Sequence, residues 1–230
     1  MSTGWFQVLA VGGSLVLSAA ATNAQIVTFK AVDTGASVIG PFPNSDAAAA
    51  SFDAAAGALG SVNLIDFESA PVGAFSNLLA APGVSITGAD LFGADHEIRD
   101  APCSNSCGFN TRSGGAQYAQ LNGGTLTFTF AAPVQAFGAY LTGLEIGLQA
   151  ITFDDGAPQL LSLPTSGRGA AFFCFTDAGK SISSITVFAR WESIGIDDVR
   201  YVGAVPEPAS YALMLAGPGA LGFMVRRRRI

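Results

Sequence analysis

Carboxylates at strand ends and turns are the residues best placed to do chemistry in this sequence: Asp66, Glu68, Asp154, Asp155, Asp197 and Asp198. Two carboxylic acids flanking a glycosidic bond are enough to hydrolyse it, one as acid and one as base or nucleophile, so these residues keep a secreted carboxylate-dependent glycoside hydrolase open as a reading. Asp197 and Asp198 are adjacent in "IGIDDVRYV". Side chains alternate along a strand, so the two face opposite ways unless a bulge turns them, and a plain solvated acidic pair beside Arg200 competes with any site. Other catalytic chemistries find little support. His96 is the single histidine, between Asp95 and Glu97, and reads as a solvated loop residue. No serine sits in a Gly-x-Ser-x-Gly turn, so a Ser-His-Asp triad has no frame.

Binding asks for less. Aromatic rings stack on sugar faces while Asn, Asp and Arg take the hydroxyls, and Trp191 and Tyr118 are the candidate stacking residues. Trp191 in the core is the competing reading. Three cysteines complete the set. Cys103 and Cys107 in "CSNSC" suit a small disulfide loop after export, whereas Cys174 in "AFFCF" reads as a buried thiol. Three cysteines and one histidine from distant places make a poor zinc site.

These residues must be positioned mostly by strands. After a short apolar strand "IVTFKA", the alanine-rich stretch "NSDAAAASFDAAAGALG" predicts one helix, with Asn44, Ser45 or Asp46 as its cap and Gly57 or Gly60 at its end. From Ser61 on, short runs of Val, Ile, Phe and Thr are broken by Gly, Pro, Asn and Asp. "TLTFTF" alternates strictly, so that Leu126, Phe128 and Phe130 share one face. Asn122-Gly123-Gly124 and Asp154-Asp155-Gly156 are the expected hairpin turns. No helix is visible between successive strands, which excludes a parallel α/β sheet. The expected fold is all-β: an antiparallel β-sandwich, jelly-roll-like, with one short N-terminal helix. The segment 89–116 lacks either periodicity, and as a long irregular loop it is the candidate ligand-facing surface.

Both chain ends read as targeting segments. "WFQVLAVGGSLVLSAAATNA" has an apolar h-region from Val8 to Leu17 and a cleavage site at Thr22-Asn23-Ala24, giving a signal peptide over 1–24 and a domain over 25–204. The chain has 11 Lys and Arg against 17 Asp and Glu, for a net charge of −6. Arg226 to Arg229 sit in the tail, so the domain itself is more acidic still. Such a surface repels phosphate backbones, so nucleic acid is not an expected partner.

At the other end, Pro206 and Pro208 bracket Glu207 in a segment that cannot be helical. The uncharged run 209–225 would extend roughly 25 Å as a helix, marginal for a bilayer, and Arg226, Arg227, Arg228 and Arg229 resist translocation behind it. Val205-Pro206-Glu207-Pro208, the apolar run and the arginine cluster together resemble the PEP-CTERM sorting signal of Gram-negative bacteria, over 205–230. The resemblance implies recognition and processing by an exosortase, transient association with the inner membrane, and delivery to the cell surface or the extracellular matrix of exopolysaccharide-producing bacteria. The domain in front, through "VNLIDFE", "FFCFTDAGKSISSITVFA" and "IGIDDVRYVGAVPEP", is similar to the galactose-binding-like or jelly-roll modules that precede this signal. In such modules an acidic residue near the N-terminus and one from the last strand share a structural calcium. The resemblance therefore implies calcium at Asp66 or Glu68 with Asp197 and Asp198; no other cofactor is expected. Taken together, the sequence predicts an exported, non-enzymatic protein associated with extracellular polysaccharide.

Overall fold

The computed structural model describes residues 27–38, 40–101, 107–145, 149–154, 156, 159–161, 168–176 and 182–203. The expected signal peptide and the whole C-terminal segment lie outside them. The architecture is mostly β, with one helix, α1 (Pro43–Gly57). Its strands are β1 (Val27–Asp33), β2 (Asn63–Ile65), β3 (Gly73–Phe75), β4 (Asn77–Ala81), β5 (Val84–Ala89), β6 (His96–Arg99), β7 (Tyr118–Leu144), β8 (Gln149–Phe153), β9 (Gln159–Leu161), β10 (Gly169–Thr176) and β11 (Ile182–Gly203). All belong to one hydrogen-bonded sheet, whose main path runs β1-β10-β7-β11-β8-β9. The sequence predicts two sheets; the described residues form one that curls.

The curl comes from two long bent strands. β11 lies beside both halves of β7, and along each stretch the partner number falls as the residue number rises. Ser184 stands opposite Thr129 and Ala189 opposite Gly124; further on, Ile196 stands opposite Leu141 and Val202 opposite Ala136. Descending registers mean antiparallel neighbours on both stretches. Gly195 pairs with both Gln120 and Thr142, whereas Ile182 and Gly203 both pair with Val134. Each strand therefore doubles back on itself, and the molecule has two poles. Gln120, Thr142 and Gly195 mark one. Val134 and Gly203 mark the other, separated by about 26 Å of strand at about 3.3 Å per residue.

The core fills the space inside the curl. Phe128 and Phe137, on facing halves of β7, meet edge to face at 5.5 Å, and Phe153 meets Phe175 at 4.4 Å. Leu126, Phe128 and Phe130 all point inward, as their alternation predicts. Outside the curl, α1 lays Ala49, Phe52 and Ala56 against Tyr140, Phe172 and Cys174. Phe52 is fully buried, which stabilises the fold by about 2–3 kcal/mol. Cys174 is a free thiol in this layer, as its apolar surroundings suggest.

Two local expectations are corrected. α1 begins with Pro43 and has no side-chain cap from Asn44, Ser45 or Asp46. Instead the carboxylate of Asp33, at the end of β1, accepts from Asn44 N at 3.0 Å and Ser45 N at 2.8 Å. Burial pushes the Asp33 carboxyl up, but the hydrogen bonds from Ser45 and Asn44 outweigh it and hold it below the usual value. Asn122-Gly123-Gly124 is not a hairpin turn either. Gly123 and Gly124 have φ of 73° and 82°, yet β7 passes through them, and Trp191 on the neighbouring β11 has φ of 57°. The left-handed residues face a register shift between Ala189 and Ser193, so the glycines make a bulge that bends the pair. The turn after Phe153 does join a hairpin, β8 with β9.

Candidate functional site

The loop between β6 and β7 is the part of the 89–116 segment that shapes a site. From Cys107 to Gln117 it lies along the first pole, held by buried polar groups of the sheet. Gly108 N donates to Gln120 Oε1 at 3.1 Å, and Phe109 N donates to Thr142 Oγ1 at 2.8 Å. Glu68 gathers the far end: its Oε1 accepts from Asn110 Nδ2, Ala116 N and Gln117 N at 2.9–3.1 Å. Asp197 takes the middle, its Oδ2 accepting from Thr111 N at 2.7 Å and from Thr111 Oγ1 at 2.9 Å. Close approach also requires glycine here. A Cβ on Gly195 would lie 2.4 Å from Thr142 Oγ1 and 2.9 Å from Gly108 Cα.

Asp197 is completely buried, and burial foremost pushes its carboxyl up to about 7, against the pull of Thr111 N and with the help of the charge on Asp198. Asp198 is also raised by burial, opposed by Arg200 and Arg112. Arg112 stands between the acids, 3.0 Å from Asp66 and 3.7 Å from Asp198. Arg200 reaches Asp198 at 3.8 Å and Asp53 at 3.3 Å, over the rings of Tyr140 and Phe172.

The structure thus brings Asp66, Glu68, Asp197 and Asp198, the residues of the calcium expectation, to one region, where each has protein partners. Backbone N–H groups occupy Glu68 and Asp197, and two guanidinium groups supply the cations that Asp66 and Asp198 face. Among the described residues no three His, Cys, Asp or Glu side chains are grouped to hold a metal ion. Asp154 is likewise structural: its Oδ1 accepts from Ser183 N and Ser184 N at 2.8 and 2.7 Å.

Between this loop and the start of α1 opens a cavity of about 480 Å³, lined among others by Val38, Phe42, Asp46, Asp100, Asn110, Arg112 and Ser113. Phe42, one of its lining residues, stacks on the buried Phe109 with ring centroids 6.0 Å apart. Asp46 accepts a hydrogen bond from Tyr140 Oη at 2.7 Å.

A second surface lies at the bulge of β11. Trp191 is 62% exposed and Phe92 86%, with ring centroids 6.5 Å apart, and the Arg190 guanidinium lies 5.9 Å from the indole ring. Trp191 is therefore outside the core. Phe92 escapes sequence reasoning because a lone Phe among Leu91, Gly93 and Asp residues has no periodicity to mark it as exposed.

Tyr118 is corrected as a stacking residue. It is fully buried, and its hydroxyl donates to the Ala101 carbonyl at 3.3 Å. His96 is also corrected: it is fully buried in β6, its Nε2 bonding to Thr125 O at 2.8 Å and its Nδ1 accepting from Asn122 N at 3.4 Å. Cys103, the expected disulfide partner of Cys107, lies outside the described residues.

The described residues thus form a β-rich domain with a polar cavity beside α1 and an exposed aromatic pair at the bulge of β11. Residues 204–229 match the family model of the PEP-CTERM protein-sorting motif. Val205, Pro206, Glu207, Pro208 and Arg226 to Arg229 fall within that match and outside the described residues, as does the apolar run 209–225. Among the described residues no helix is long and apolar enough to cross a membrane. No curated protein matches the chain.

Proposed function

We propose that this chain is exported, held briefly at the inner membrane by its C-terminal segment, processed there by an exosortase, and delivered to the cell surface or extracellular matrix. The match at 204–229 carries that reading. Its test is intact-mass analysis of the native protein beside the Glu207→Ala variant. Processing predicts a native chain lacking Arg226 to Arg229 and a membrane-retained variant that keeps them; a native chain that keeps them makes the segment a simple anchor. In the same measurement the export reading predicts loss of 1–24 and oxidation of Cys103 with Cys107, while Cys174 stays reduced.

At its destination the curled β domain binds extracellular polysaccharide without cleaving it. The exposed Trp191 and Phe92 rings support this role, because flat apolar rings at a polar surface suit the apolar faces of sugars. Retention on immobilised polysaccharide without release of reducing sugar is the expected result. The competing reading, a carboxylate-dependent glycoside hydrolase, draws on Asp46 and Asp100 lining one cavity. Release of reducing sugar that disappears in Asp100→Asn would establish it instead.

A further inference from the structure

The cavity beside α1 has a lining that selects among sugars. We propose that it seats a single amino-sugar residue of a polysaccharide, with the protonated amine toward Asp46 and Asp100; this rests on the polysaccharide reading and deepens it.

Size and preorganisation come first. At about 480 Å³ the cavity falls in the range of small-ligand sites, roughly 300–1,000 Å³. Its walls do not need to be ordered on binding. The loop wall is fixed by Glu68, Asp197 and Thr142, and Phe42 by its stack on Phe109. A wall ordered in advance spares the ligand that entropic cost.

The lining then sets the chemistry. Val38, Pro41 and Phe42 offer an apolar strip for the C–H face of a pyranose, while Asn110, Ser113 and Arg112 bring donors and acceptors for hydroxyls. Charge decides between sugars. Arg112 is the cation of the lining, and it is already drawn to Asp66 and Asp198. Asp46 and Asp100 are exposed lining residues outside the ion pairs of Arg99, Arg112 and Arg200, and Asp46 accepts from the neutral hydroxyl of Tyr140. Two such carboxylates repel a uronic acid and attract an ammonium group, in a chain whose net charge is already −6. A hydrogen bond from an ammonium to a carboxylate is roughly twice as strong as one between neutral groups.

The cavity wall is anchored at Asp197, two residues beyond Gly195, whereas the chain leaves the described domain at Gly203 on the opposite pole. The cavity and the last described residue therefore lie toward opposite poles.

The test uses the full chain and four probes: glucosamine, N-acetylglucosamine, glucose and glucuronate, titrated by calorimetry. Glucosamine should bind about tenfold more tightly than glucose or N-acetylglucosamine, with glucuronate weakest. Asp100→Asn should reduce the preference for glucosamine over glucose toward unity; Asp100 is exposed, so the variant should fold. Trp191→Ala should leave the monosaccharide preference intact while weakening retention on a glucosamine polymer. Equal binding of glucosamine and glucose, or a preference that survives Asp100→Asn, overturns the cavity proposal. If polymer retention persists in that event, the polysaccharide reading stands without the cavity. If neither polymer nor monosaccharide binds, both fall.

Discussion

The loop over 107–117 and the aromatic pair at Phe92 and Trp191 lie toward the same pole, and they present side chains to solvent by opposite means. The loop is anchored from beneath: the buried Asp197 and the half-buried Glu68, an amide and a hydroxyl each take a specific N–H, and glycine meets glycine where backbones touch. The aromatic pair rests on a bulge, with Trp191 in a left-handed conformation and most of its ring in water. The lesson is that anchoring and exposure separate here. Gln120, Thr142 and Asp197, which anchor the cavity's loop, are buried in the sheet, whereas the rings of the aromatic surface lie largely in water. Substitutions at the two places should thus have separable consequences for stability and binding.

The largest effect is expected at Asp197. Asp197→Ala leaves Thr111 N and Asp198 N, both partly buried, without the acceptors that they now have. Each orphaned donor costs about 1–3 kcal/mol when buried, so the variant should lose about 2 kcal/mol or more, read as a lower urea midpoint with an unchanged slope. An unchanged midpoint would mean that the loop is not anchored there, and the contrast between the two regions would collapse.

A second consequence of the same carboxyl is a pH dependence. Asp197 stands at about 7 in the fold against an ordinary 3.8, so between these values the native state keeps a proton that the unfolded chain releases. Its stabilising contribution is thus complete below the unfolded value and is lost as pH rises through about 7, with a slope of at most about 1.4 kcal/mol per pH unit. Asp198 adds to that loss as a like charge, and Arg112 and Arg200 beside Asp198 moderate it. Urea midpoints from pH 5 to 8 should fall for the native sequence and stay flatter for Asp197→Asn. Parallel profiles would remove Asp197 as the source.

How much of this could be read in advance depends on the range of the interaction. The inward alternation of Leu126, Phe128 and Phe130, the single alanine-rich helix, the β8–β9 turn and the C-terminal motif are local patterns, and they were legible. Asn122-Gly123-Gly124 has the composition of a turn, but composition reports only that φ can be positive; whether the chain reverses or bulges depends on the partner strand, and here Trp191 supplies the matching distortion. β3 to β6, at three to six residues, lack the sustained alternation of "TLTFTF". The acids were legible as a group, yet their role was not. Arg112 and the loop N–H groups that neutralise them lie far from Asp66 and Asp197 in sequence, and only the fold brings them together.

A smaller effect should mark the helix start. Asp33→Ala removes the carboxylate that accepts from Asn44 N and Ser45 N, and the loss of a comparable N-terminal cap costs about 1 kcal/mol. Because α1 carries Asp46 and follows directly on Phe42 at the cavity edge, a change that reached the site would also weaken glucosamine binding. The expected result is a modest drop in urea midpoint with binding retained, since Phe42 remains stacked on Phe109. Loss of binding with stability unchanged would show that Asp33 positions the ligand-facing end rather than capping the helix.

The smallest stability change should come from Trp191→Ala, and that makes it the sharpest probe of the contrast. The ring is 62% exposed, and its described ring and cation contacts are with Phe92, itself 86% exposed, and with the Arg190 guanidinium. Little apolar area leaves water when this side chain folds into place, and relief of the left-handed backbone is slight because alanine strains there as well. The unfolding midpoint should move by no more than about 0.5 kcal/mol in equivalent stability, the size of an ordinary surface substitution. Retention on polysaccharide should drop, because stacking on a single aromatic ring is worth roughly 1 kcal/mol or more and Phe92 alone offers half of the pair. Measured together, an unmoved midpoint and a weakened interaction place Trp191 in recognition. A large fall in stability would make it a brace for the bulge instead.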